Sequence, residues 1–208
     1  MSGLLTIKFT APVRNAAREL LTRMEPAQVL TEINAVRGKA GENVVREHFR
    51  SRPRNARGWK SSGFWNVRMR TATSLSHFDA STATVTIADP AMNQKVYGGP
   101  ITPKEGKVLC IPARPEAAGR SPRTFPGLQY IPLRGRGKLV GMLVMPANRK
   151  LSKGDKPDVY FWCLTHVTQF ADKDALPPRA AFITALSDAT EKQVTRALRG
   201  LNRAEGIV

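Results

Sequence analysis

The chain has 208 residues, enough for one domain with a full hydrophobic core or one domain carrying a large insertion. With 41% apolar and 24% charged residues it has the composition of an ordinary globular protein, which excludes a charge-dominated disordered chain. Thirty-three Lys and Arg against 16 Asp and Glu leave a net charge of +17, and so basic a balance points to a negative partner: nucleic acid, an acidic protein face or a membrane surface.

In chain order, Leu4 to Phe9 is a short apolar stretch suited to a strand. From Ala11 to Met24, Val13, Ala16, Ala17, Leu20 and Leu21 recur at helical spacing and predict a first helix. Pro26 can open a second, where its missing amide donor costs nothing. Val29, Leu30, Ile33, Val36, Ala40, Val44 and Phe49 carry this stripe to about Arg50, across Gly38 and Gly41, and Pro53 ends it. Residues 46–70 hold eight basic side chains and one acid, interleaved with Trp59, Phe64 and Trp65. Such a segment can track phosphates while its rings stack on bases, or it can pack its rings on the domain and leave its arginines in water.

Thr82 to Ala88 alternates Ala83, Val85 and Ile87 against Thr82, Thr84 and Thr86, the pattern of a half-buried strand. Asp89-Pro90 is a cap followed by a proline at the first helical position, predicting a short helix through Met92 and Val96. Gly98 and Gly99 end that helix, because both can adopt positive φ. Pro100 and Pro103 then hold the chain extended as far as an apolar strand over 108–112, so these four residues read as a structural hinge.

Residues 113–138 are rich in proline and arginine and read as an extended loop or arm that orders against a neighbour. Leu139 to Met145 and Pro157 to Thr168 are apolar strands joined as a hairpin by a basic turn. On the second strand, strict alternation places Val159, Phe161, Cys163 and Val167 on one face and Tyr160, Trp162 and Leu164 on the other. Both faces are apolar, so the strand is either central in a covered sheet or part of a subunit interface, for which Tyr160, Trp162 and Leu164 are the candidates. Leu176-Pro177-Pro178-Arg179 opens the last helix, about 180–201, whose Arg196, Arg199 and Arg203 suit the negative end of a helix dipole.

The sequence assembles no catalytic constellation. His48, His77 and His166 have no ligand at metal-binding spacing, no phosphate-cradling glycine loop is present, and no carboxylate pair stands out. A non-enzyme without metal or cofactor is therefore expected. Cys110 and Cys163 are too few for a disulfide framework and read as buried reduced thiols. No apolar run reaches the roughly 18 residues of a spanning helix, and Met1 to Ile7 lacks the order of a signal peptide. A soluble protein assembled in a cytoplasm, with no membrane partner, is the expectation.

Three segments occur in a telling order. A helix ending Val44-Val45-Arg46-Glu47-His48-Phe49 precedes a basic loop with Trp59; the run Tyr97-Gly98-Gly99-Pro100-Ile101-Thr102-Pro103-Lys104 leads to Val108-Leu109-Cys110-Ile111-Pro112; the strand Tyr160 to Val167 leads to Leu176-Pro177-Pro178-Arg179-Ala180-Ala181-Phe182 and a closing helix. This order resembles the bacteriophage virion-morphogenesis and tail-completion proteins, the group that includes the Mu G-like proteins. The resemblance implies a structural neck or upper-tail component of the virion, with no catalytic residue. It implies a homo-oligomeric ring, hexameric in the family, that caps the tail and docks it to the head with DNA passing through. Other neck and tail-tube proteins are its implied partners.

Such a bore could hold double-stranded DNA through non-specific contacts. Arg134, Arg136 and Lys138, with Arg149, Lys150 and Lys153, are the candidate contacts to DNA or to an acidic partner. The alternative is a stand-alone basic nucleic-acid-binding protein that uses the 46–70 segment. In either case the expected fold is a single α+β domain over 1–208. It has an antiparallel or mixed sheet of about four to six strands, packed by two N-terminal helices and a C-terminal helix, with the basic excursion at 113–138.

Overall fold

The computed structural model describes residues 5–9, 25–52, 59, 63–104, 106–133, 137–146 and 158–204. The helix expected over 11–24 and the basic turn at 149–156 lie outside them, as do Arg134, Arg136, Arg149, Lys150 and Lys153. The class is α+β, and every strand pairing is antiparallel. Nine described strands fall into sheets of three, two and four. The chain gathers into two compact units. The first comprises Met1–Arg52, Gly63–Val96 and Asp172–Val208; the second comprises Pro53–Ser62 and Tyr97–Ala171.

In the first unit, β1 (Leu5–Phe9), β2 (Thr73–Phe78) and β3 (Ala83–Ile87) form a sheet in the order β1-β3-β2. The alternation read in the sequence is realised: Ala83, Val85 and Ile87 are fully buried, while Thr84 and Thr86 are not. Helix α1 (Pro26–Ser51) packs on this apolar face. Its first turn starts at Pro26, as expected. At its end Arg52 leaves helical ψ for +132°, the conformation preferred by a residue that precedes a proline in sequence. Gly38, a weak helix former, is explained by packing: a Cβ there would come within 2.5 Å of Leu75 Cδ1 and 3.1 Å of the Ala83 methyl. The missing side chain lets helix and sheet approach closely.

Helix α2 (Pro90–Tyr97) is capped by Asp89, whose Oδ1 accepts the Ala91 amide at 2.9 Å. Helix α3 (Arg179–Ala204) lies along α1, with Val194 meeting Val29 and Ile33 in one buried cluster flanked by Ala197, Leu198 and Leu201. Burial of each such side chain contributes about 1.5–3 kcal/mol.

The second unit holds the other two sheets. β4 (Gly99–Ile101) pairs with β9 (Val167–Gln169). β5 (Leu109–Pro112), β6 (Gln129–Pro132), β7 (Leu139–Met145) and β8 (Asp158–Leu164) form a sheet in the order β5-β8-β7-β6. The single strand expected over 157–168 is thus two, separated at Thr165 and His166. Thr165 turns its amide to the Lys138 carbonyl at 2.9 Å, and Val167 leaves the face of Cys163 for another sheet. Proline stands in all three of β4, β5 and β6, at Pro100, Pro112 and Pro132.

Candidate assembly surfaces

The four-stranded sheet has two chemically distinct faces, fixed by register. On one, Ile111, Trp162, Met142 and Ile131 stand opposite one another in a single row across all four strands. Leu109, Leu164 and Leu139 form the next row. Directly opposed residues share a face, so this is a continuous apolar surface. At its centre Trp162 keeps 37% of its area exposed.

The other face carries Cys110, Cys163, Gly141 and Pro132 in one row and Pro112, Phe161, Leu143 and Tyr130 in the next. Phe161 and Cys163 are buried. The ring of Phe125 packs edge-on against Phe161 and Tyr160, with centroids 5.8 and 5.4 Å away. Alternation alone puts Tyr160 with Trp162 and Leu164. The register slips between Leu143 and Val144, leaving Tyr160 as the extra residue of a bulge and bringing it to the Phe161 side. The predicted interface trio therefore divides: Trp162 and Leu164 share the apolar face, and Tyr160 does not.

The same packing revises the expected arm. Over 113–133 the chain makes two 3-10 turns, at Pro115–Ala117 and Pro122–Thr124, buries Ala117 completely, and lays Phe125 on its own sheet. Two of its three arginines belong to this packing, and Arg123 is exposed. Arg120 stacks over Phe125 at 4.3 Å, and Arg114 lies over Tyr160 while pairing with Asp158. Tyr130 covers Gly141, where a Cβ would fall 2.3 Å from its ring, and donates its hydroxyl to the Val140 carbonyl at 3.1 Å. Of the predicted basic contacts, Lys138 is described, and it is exposed.

The glycine pair behaves as its residue type demands. Gly98 and Gly99 take φ of +69° and +114°, and a Cβ on Gly98 would lie 2.6 Å from the Gln169 carbonyl and 2.7 Å from the Ala171 amide. Pro100 is opposite Thr168 within β4, and Pro103 is half-buried beyond it. These four residues thus seat a short sheet closely against its partner strand. On either side of this close approach stand two strongly exposed aromatics, Tyr97 at 71% and Phe170 at 85%. Phe170 is absent from the sequence-derived candidates, although an isolated aromatic in the polar run Thr168-Gln169-Phe170-Ala171-Asp172 is a usable signal.

The basic-aromatic segment has a structural assignment over its described part. Gly63 opens a π-helical turn over Phe64–Met69, and Phe64 and Trp65 pack on the core cluster of Val45, Phe49, Met69 and Ile87. Trp65 lies 5.6 Å from Phe49 and carries the Arg52 guanidinium 4.7 Å above it. Arg52 pairs with Asp172, Arg46 with Glu42 at 2.9 Å, and Arg68 grips Asp89 through two bonds of 2.5 and 2.9 Å. That fork holds the Asp89 carboxyl below its ordinary pKa, and the Ala91 amide adds to the effect.

The ionisable groups are dispersed. His48 meets the Asp174 carbonyl, His77 meets Asp79, and His166 meets the Thr165 hydroxyl. Among the described residues no three His, Cys, Asp or Glu side chains gather as a metal site. No described helix is long and apolar enough to cross a membrane. Cys110 and Cys163 are register partners with sulfurs 4.0 Å apart, and burial with the neighbouring thiol pushes Cys163 up to about 12. Comparison of the chain with protein-family models, with curated proteins and with solved structures yields no match.

Proposed function

We propose that this chain is a structural phage assembly protein, a tail-completion or head–tail neck component that acts as a homo-oligomeric ring. The observation that carries the reading is a half-exposed apolar sheet face together with two strongly exposed aromatics beside a tight turn. Trp162 sits at the centre of a four-strand apolar row, and Phe170 and Tyr97 stand out beside the Gly98 turn. Monomers seldom leave such large rings open to water, whereas a subunit that buries them against its neighbour gains about 25 cal/mol for each square ångström covered. The resemblance of the segment order to that of the tail-completion proteins is what suggests the biological setting: a virion location, a hexameric ring, and neck and tail-tube partners.

Over the described part of residues 46–70 the geometry favours packing over the nucleic-acid reading, because Phe64 and Trp65 lie on the core and four of the described arginines have acidic partners. Light scattering on purified protein, with negative-stain images alone and beside tails lacking their completion protein, tests the proposal. Rings, or particles at tail ends, are expected from the wild type. Trp162→Glu and Phe170→Glu should give folded monomers. A wild type that stays monomeric at assembly concentrations and never joins tails would overturn the reading.

A further inference from the structure

The outer face of α3 carries Lys192, Arg196, Arg199 and Arg203 at i, i+4, i+7 and i+11. At 3.6 residues per turn these four fall in one line, spanning about 16 Å of helix axis at 1.5 Å per residue. All four are exposed and make no ion pair among the described residues. They border an open trough with Thr195 and the bare backbone of Gly200, and Asp188 and Glu191 mark its N-terminal end. The opposite side of the helix is fixed, because Val194, Leu198 and Leu201 pack toward Val29 and Ile33 of α1. The cations therefore form a ridge on a rigid element.

A helix dipole accounts for only part of this ridge. Its field fades within the last turn, which covers Arg203 and at most Arg199. Arg196 and Lys192 lie eight and twelve residues before Ala204 and need another reason.

We infer that the α3 ridge binds the phosphate backbone of double-stranded nucleic acid without reading base sequence. Three features favour this occupant. A duplex presents one charge about every 1.7 Å, so a straight line of four cations finds phosphates in any register. The ridge bears no aromatic ring on which unpaired bases could stack, which disfavours a single strand. It also bears no apolar side chain, and protein interfaces need a desolvated apolar centre. The proposal does not depend on ring formation, since a monomer suffices to test it.

The test is fluorescence anisotropy with a 24-base-pair duplex of arbitrary sequence over a series of sodium chloride concentrations. The ridge variant K192Q/R196Q/R199Q/R203Q is compared with K104Q/K107Q/K173Q/R179Q, which removes the same charge from exposed positions elsewhere. Circular dichroism and melting of both variants establish that they fold. Neutralising the ridge should lower the slope of log K against log salt by about 3 to 4, at roughly 0.9 for each phosphate that no longer meets a cation, while the control retains most of it. Equal reductions in the two variants would mean that net charge alone is felt and would overturn the ridge. Displacement of the duplex by polyglutamate at matched charge would assign the ridge to an acidic protein, and equal affinity for a single strand would remove the duplex preference. Either result defeats the proposal.

Discussion

Replacing Gly98 by alanine tests whether the short β4–β9 sheet depends on a backbone approach that admits no side chain. Two costs are separable. The first is conformational: an L-residue held at φ +69° loses about 1–2 kcal/mol relative to glycine. The second is steric: the new methyl would lie 2.6 Å from the Gln169 oxygen and 2.7 Å from the Ala171 nitrogen, both backbone atoms. Relief requires the strands to part by nearly an ångström, in a ladder of only three residue pairs. One or two broken hydrogen bonds add about 1–2 kcal/mol.

The total expected for Gly98→Ala is therefore about 2–4 kcal/mol. Gly119 supplies the control within the same unit, with φ +72° and nothing within 4 Å of a built Cβ, so Gly119→Ala carries the first cost alone. Calorimetric melting measures the difference, at about 2–4 °C per kcal/mol for a chain of this length. Hydrogen exchange at the β4–β9 amides should quicken in the Gly98 variant only. Equal melting losses from the two substitutions would refute the steric part of the reasoning.

Three further outcomes follow from buried or paired groups. Arg37 is 7% exposed, and its Nε has no hydrogen-bond partner among the described residues, so burial lowers its pKa. Arg37→Met should leave stability unchanged or raise it by about 1 kcal/mol in urea unfolding, and a clear loss would mean that the charge is satisfied. The depressed pKa of Asp89 means its ionic contribution is complete above the unfolded carboxyl's 3.8 and is lost as pH falls through the lower folded value. Asp89→Asn should cost about 1 kcal/mol at neutral pH and flatten the acid limb of the stability curve; an unchanged limb would refute the fork's role. With Cys163 pushed up to about 12, its thiolate is about one part in ten thousand at pH 8. Peptide mapping after iodoacetamide should find Cys163 unmodified in native protein and modified after unfolding.

Local chemistry makes much of the fold legible. Pro26 and Pro53 bracket α1, Asp89-Pro90 caps α2, Gly98 takes the positive φ its residue type allows, and the Ala83-Val85-Ile87 alternation gives the central strand of its sheet. What stays hidden depends on partners distant in sequence. Tyr160 changes face because of a bulge set by the register of β7, and strict alternation cannot foresee that. Cys110 and Cys163 become neighbours only through the β5–β8 pairing. Arg114 and Arg120 read as part of an extended basic loop or arm until Tyr160 and Phe125 are seen to take them as stacking partners. The candidate surfaces are legible to a similar degree. Trp162 is visible in the alternation of its strand, whereas Phe170 belongs to no periodic pattern. The α3 arginines read as a helix cap until Lys192 is aligned with them.

The prolines of β4, β5 and β6 bear on how copies of this chain can meet. A strand with a missing amide donor cannot template an added strand along its length, and Pro112 and Pro132 stand in the two outer strands of the largest sheet. Pairing of a further strand is therefore interrupted at both borders of this sheet, which disfavours edge-to-edge aggregation through it. Any contact this sheet makes with another molecule then falls to the side chains of its faces, where shape decides the fit, and not to its backbone edges.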